Sequence, residues 1–120
     1  MCAEDNVDCS DLMTSFLRQI GYEVIVATTC AESFELIERH KFVLYILDSR
    51  LKDGTCAELC RRIRLEDEET PILMYSGDGF KGEIAAAIAA GANDYVVKPD
   101  WNKLLRSVQK LAPVNQPVNA

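Results

Sequence analysis

Five polar side chains stand where apolar runs end. Glu4 and Asp5 follow the opening Met-Cys-Ala, Asp48 closes the run 42–47, Ser76 follows Ile72-Leu73-Met74-Tyr75, and Lys98 follows Tyr95-Val96-Val97. Three carboxylates brought together repel one another unless a cation sits among them. A hard divalent ion with oxygen ligands, Mg²⁺ or Mn²⁺, suits such a set and leaves room for water and a phosphoryl group. Asp48 is then a nucleophile for a phosphoryl group, giving an aspartyl phosphate. The ion and Lys98 offset charge on the group in transfer, because such transfer rests on positioning and electrostatics. Ser76 offers a hydroxyl donor to a phosphoryl oxygen, and Gly77 leaves space beside it. Taken singly, each residue has a plainer role: a solvated acidic pair, a strand-ending turn residue, an exposed lysine.

The elements around these residues put them together. The run 42–47 is unbroken, rich in aromatic and branched residues, and reads as a strand buried on both faces. Such strands belong to parallel sheets, where ligands collect at the carboxyl ends. Before it, Asp8 or Ser10 can cap a helix with Leu12, Met13, Phe16, Leu17 and Ile20 inward, stopped by Gly21. Residues 23–27 form a short strand. Thr29 with Glu32 makes a capping box for a second helix ending near His40. Asp53-Gly54 marks a turn, and Thr55 with Glu58 caps a third helix with Cys56, Leu59, Cys60 and Ile63 inward. Pro71 opens a fourth strand, residues 83–90 form an Ala-rich helix closed by Gly91, and 95–97 form a fifth strand. A last helix carries Trp101, Leu104, Leu105, Val108 and Leu111. Strand and helix alternate five times, which means an α/β fold with right-handed crossovers. Residues 1–112 form one domain, and 113–120 read as a tail or the start of a linker.

The formal net charge of −6 argues against a nucleic-acid-binding surface. No apolar run approaches a membrane span and no signal peptide opens the chain, so a cytoplasmic location is expected. The five cysteines are odd in number and lack a Cys-x-x-Cys pair. Reduced thiols fit that pattern best, with Cys56 and Cys60 in the core.

In order and spacing, Glu4-Asp5-Asn6, Leu47-Asp48-Ser49-Arg50-Leu51, Ser76-Gly77, Gly91-Ala92-Asn93-Asp94-Tyr95 and Lys98-Pro99 resemble the receiver domains of bacterial two-component response regulators. The resemblance implies a doubly wound, flavodoxin-like sheet of order 2-1-3-4-5 with five flanking helices. It implies that Asp48 accepts a phosphoryl group from a sensor histidine kinase or phosphotransfer protein in a Mg²⁺-dependent reaction. Metal ligands would be Glu4, Asp5, Asp48 and the backbone carbonyl of Arg50, with Ser76 and Lys98 assisting. Ser76 and Tyr95 would form the switch, and Lys98-Pro99 would be a cis peptide. Arg50 and Asp78 stand at positions that tune phosphoryl lifetime. A downstream effector would read the fourth helix, fifth strand and fifth helix, a face that also leaves room for a homodimer. The chain departs from the family pattern at Lys52 and at Asp100, where Asp100 is placed to cap the last helix.

Two other readings share the topology or the nucleophile. An aspartyl-nucleophile phosphatase-like hydrolase would need a second Asp where Arg50 stands. A flavin-binding module would need a Ser/Thr/Gly loop in place of Glu4-Asp5-Asn6-Val7-Asp8, which repels phosphate unless a metal is bound. A central parallel strand normally has about five residues, and three precede the acidic pair. The expectation is therefore a chain that extends upstream of Met1, or one whose first residues lean on a neighbouring molecule.

Overall fold

The structure is a computed structural model and describes residues 1–77 and 81–114. Five parallel strands form one sheet: β1 (Cys2–Ala3), β2 (Val26–Ala27), β3 (Tyr45–Leu47), β4 (Ile72–Ser76) and β5 (Asp94–Val97), in the order β2-β1-β3-β4-β5. Between them run α1 (Val7–Gln19), α2 (Cys30–Arg39), α3 (Cys56–Glu66), α4 (Lys81–Ala89) and, after β5, α5 (Trp101–Leu111). A short antiparallel hairpin, Arg50–Leu51 with Gly54–Thr55, sits between β3 and α3.

Strand alternation sorts the core into two layers. Cys2, Ile46, Leu73, Tyr75 and Val96 face Met13, Leu17, Leu104 and Val108 of α1 and α5. Ala3, Tyr45, Leu47, Ile72, Met74 and Tyr95 face the layer built from α2, α3 and α4, where Cys30, Leu59 and Ile63 are buried. Cys56 and Cys60 lie in that second layer, as their helical spacing predicts.

Several local expectations are corrected. The cap of α1 is Asn6, whose side chain accepts from the Cys9 amide at 2.9 Å, so neither Asp8 nor Ser10 caps it. Leu12 is 61% exposed and lies off the inward stripe that Met13 and Leu17 occupy. The third strand begins at Tyr45, not Phe42, and Val43 is 71% exposed. Its ladder starts only where both neighbours are present: the Met1 amine donates to the Leu44 carbonyl, and the Tyr45 amide to the Pro71 carbonyl. The second strand is likewise confined to Val26–Ala27, beside β1. The Ala-rich helix starts earlier, at Lys81, and ends at Ala89. Thr29 caps α2 as expected, but Glu32 turns to the Thr28 hydroxyl and does not close the box. Thr55 caps α3, and Asp100 caps α5.

Arg64 joins the end of α3 to the entrance of β5. Its guanidinium donates to the carbonyls of Gly91, Asp67 and Thr70 and to Asn93 Oδ1, all between 2.8 and 3.1 Å. Asn93 Oδ1 also accepts the Ile72 amide at 2.8 Å. Gly91 has φ +114°, a conformation disfavoured for a side chain, and a Cβ there would sit 2.7 Å from Arg64. Removing Arg64 leaves several carbonyls without their donor. Arg64→Ala is expected to cost about 1–3 kcal/mol, read from the urea midpoint, with Arg64→Lys recovering a fraction because one ammonium cannot reach all four acceptors.

Candidate functional site

Backbone bonds fix the strand ends relative to one another. The Glu4 amide donates to Ala27, the Asp48 amide to Ala3 and the Lys98 amide to Ser76, at 2.8 to 3.0 Å. Glu4, Asp5, Asp48, Ser76 and Lys98 therefore converge on one edge, as their positions at the ends of apolar runs predict. One oxygen from each of Glu4, Asp5 and Asp48 lies within 4.8 Å of the others. An all-oxygen carboxylate set of that span fits a hard divalent cation.

Lys98 Nζ donates to Glu4 Oε1 at 2.9 Å and lies 3.7 Å from Asp48 Oδ2. Glu4 is 1% exposed. Burial pushes its carboxyl above the usual range, the Lys98 hydrogen bond opposes this, and Asp48 adds to it. Burial disfavours the Lys98 ammonium, but the bond to Glu4 and the charge of Asp48 outweigh it and leave the group raised. Tyr75, buried on β4, holds its ring 5.6 Å beneath Lys98 Nζ. Trp101 leans on Tyr75 at 5.7 Å and on Phe16 at 5.8 Å, so the aromatic cluster under Lys98 also ties α1 to α5. The Lys98–Pro99 peptide is cis.

Ser49 joins the site and Asp53 braces the neighbouring hairpin, contacts that the sequence reading of Asp53 as a turn residue and of Ser49 as part of a motif did not reveal. Ser49 Oγ accepts from Ser76 Oγ at 2.6 Å, and the Ser49 amide donates to Asp48 Oδ1 at 2.8 Å. Asp53, at the tip of the hairpin, accepts from the Cys30 and Ala31 amides at 2.7 and 3.1 Å and so caps α2 from another loop. The Cys30 amide, then the Ala31 amide, hold its carboxyl below the ordinary range. The next residue, Gly54, allows the close approach, since a Cβ there would meet Cys30 Sγ at 2.8 Å. Arg50 enters the hairpin paired with Thr55, and Asp78 lies outside the described residues. Tyr95 is buried and lines a cleft of about 110 Å³ with Ser49, Cys56 and Met74. A larger hollow of about 480 Å³ opens at the opposite, amino end of the sheet, lined by Tyr22, Ile25 and Phe42 among others, away from every carboxylate of the cluster.

Glu4 and Lys98 depend on each other. Removing one partner of a buried pair leaves the other charge uncompensated, which costs about 3 kcal/mol or more. Lys98→Met is expected to lose about that much stability at neutral pH. Glu4→Gln/Lys98→Met should recover most of it, and a double-mutant cycle by denaturant unfolding reads the coupling.

Comparison with known proteins agrees with this architecture. A family model described as "Response regulator receiver domain" matches residues 1–109. Regulatory protein VanR of Enterococcus faecium is 30% identical over 82% of this chain, and the chain spans 42% of that protein. A chemotaxis protein CheY homolog of Campylobacter jejuni is 27% identical over 88% of this chain and 85% of its own length. The receiver domain of sensor histidine kinase PA1611 of Pseudomonas aeruginosa superposes with a TM-score of 0.85 at 25% identity, covering 94% of this chain and 95% of that one. That structure has a magnesium ion coordinated in its active site cleft. With a family match over nearly the whole chain and a parallel sheet that gathers its acidic residues at one edge, this protein belongs to the response regulator receiver domain family.

Proposed function

We propose that this chain is a phosphoacceptor of a two-component system, taking a phosphoryl group on Asp48 from a sensor histidine kinase or phosphotransfer protein. The observation that carries this reading is the convergence of Asp48 with Glu4, Asp5 and Lys98 at the carboxyl edge of the sheet. Glu4, Asp5, Asp48 and the Arg50 carbonyl would hold Mg²⁺ or Mn²⁺. When bound, the ion supplies positive charge that offsets the transferring phosphoryl oxygens. An Asp48 oxygen attacks phosphorus as the P–N bond to the donor histidine breaks and the imidazole leaves, Lys98 stabilises the charge that builds on the group, and Ser76 donates to one of its oxygens. Residues 1–112 act as the receiver unit and 113–120 as a tail or linker start. No helix among the described residues is long and apolar enough to cross a membrane, which is compatible with cytoplasmic action.

Ser76 and Tyr95 form the switch in this reading. The Ser76 hydroxyl already lies 2.6 Å from Ser49 Oγ, and drawing it toward a phosphoryl group would rearrange that pair. Tyr95 follows by repacking in the cleft behind it, and the surface of α4, β5 and α5 carries the change to an effector or to a second copy of the chain. Arg50 and Asp78 tune how long the phosphoryl group lasts by controlling the approach of water.

Incubation with Mg²⁺ and acetyl phosphate is expected to add one phosphoryl group to the wild type and none to Asp48→Asn, by intact mass. An adduct that persists in Asp48→Asn would overturn the assignment. Mg²⁺ should also stabilise the unmodified chain by mass action, about 1.4 kcal/mol at ten times its Kd. A thermal scan should show that gain in wild type and lose it in Asp5→Asn/Asp48→Asn. For the switch, amide shifts on adding a beryllofluoride phosphate mimic should extend from Ser76 through α5; shifts confined to the Asp48 loop would mean nothing is transmitted.

A further inference from the structure

Sulfur is concentrated beneath the acidic edge in a way the phosphoacceptor reading does not use. Cys56 Sγ lies 3.7 Å from Cys60 Sγ and is in contact with Met74 Sδ. All three residues are at most 2% exposed. Cys56 and Met74 nevertheless line the cleft of about 110 Å³ whose other walls include Ser49, Thr55, Ala87 and Tyr95. At about 30 Å³ per water, that cleft has room for a small hydroperoxide beside Cys56.

We propose that Cys56 and Cys60 are an oxidative modification site that closes to a disulfide within α3. In the first step Cys56 sulfur attacks an oxygen of hydrogen peroxide, an S–O bond forms, the O–O bond breaks, and the leaving hydroxide departs as water with the Cys56 proton. In the second, Cys60 sulfur attacks Cys56 sulfur, the S–S bond forms, the S–O bond breaks, and the oxygen departs as a second water with the Cys60 proton. Two thiols are oxidised and one hydroperoxide is reduced. The hydrogen bond with Cys60, then burial, hold Cys56 as the thiol, so its attack on peroxide is slow and rests on the open cleft beside it.

Helix geometry permits the closure. Residues four apart rise about 6 Å along an α-helix, inside the Cα range that disulfides span. Their Cβ atoms must approach by about 1 Å or more from ordinary helical spacing. Cys56 can give because it is the first residue of α3, and its amide bonds to the Ser49 carbonyl at 3.0 Å, not to a helical one. Ser49 in turn holds Asp48 Oδ1 and meets Ser76. Closing the disulfide therefore pulls on the residue that follows the candidate phosphoacceptor.

The test treats the reduced chain with hydrogen peroxide, blocks remaining thiols with iodoacetamide in denaturant, and digests with trypsin. Cleavage after Lys52 and Arg61 releases 53–61, which contains Cys56 and Cys60 and no other cysteine. That peptide is expected to lose both alkyl groups, to be two hydrogens lighter than its reduced form, and to regain both labels after reduction. In Cys60→Ala, Cys56 should instead be trapped as a sulfenic acid by dimedone; Cys60→Ser supplies the same readout if the alanine variant folds poorly. The Ser49 amide signal should move on oxidation of the wild type. A doubly alkylated 53–61 while Cys2, Cys9 or Cys30 oxidises would overturn the site. So would a Cys30–Cys56 link, or pairing as fast in urea as in the folded chain. An unmoved Ser49 amide would overturn its coupling to the acidic edge.

Discussion

Glu4 places a carboxylate where water scarcely reaches, and that charge persists only because Lys98 stands beside it. The requirement constrains the whole sheet. β5 lies three strand spacings from β1, about 14 Å, so the two side chains meet only by leaning over the ends of β3 and β4. Asp48 ends β3 and Ser76 ends β4, which is why these residues lie beneath the bridge. The Tyr75 ring supports the cation on the way, and the Trp101–Phe16 contacts hold that ring against α1 and α5. One ion pair thus makes sheet order, aromatic packing and acidic edge mutually dependent.

Much of this was legible in the sequence because it is written in short-range signals. The apolar runs ending in Asp48, Ser76 and Lys98 named three strands and their carboxyl ends, and Thr29, Thr55 and Asp100 named three helix starts. Legibility failed where a neighbour decides the outcome. Residues 42–44 have strand composition, yet Val43 is exposed because pairing starts further along the chain. Asn6 outcompetes Asp8 and Ser10 as a cap because the backbone leaves β1 in extended form there and turns into α1 at Val7.

The acidic cluster was visible residue by residue, but its supporting contacts were not. Ser49 gives no signal of its own; its meeting with Ser76 spans 27 positions and depends on the alignment of β3 with β4. Asp53 reads correctly as a turn residue, yet its carboxylate caps a helix that begins 23 positions earlier. Both are side-chain bonds between loops, and neither hydrophobic period nor local propensity carries information about such pairs. The interdependence of Glu4 and Lys98 is of the same kind, with 94 positions between them.

The clamp at Arg64 has a mechanical side. Among the described side chains of α4 only Ala87 is buried, with Ile84 half-buried beside it, so the helix rests on the sheet through a small apolar footprint and is held by little contact energy along its length. Its exit is different: Gly91, just past the last turn, is pinned by two guanidinium bonds, and the same guanidinium holds the Asp67 and Thr70 carbonyls ahead of β4 and Asn93 ahead of β5. A rod lightly seated along its length and fixed at one end does not translate. Any displacement of it would be a pivot, with Gly91 as the fulcrum. Displacement then grows with distance from that point, and the start of the helix, at the acidic edge of the sheet, swings through the widest arc.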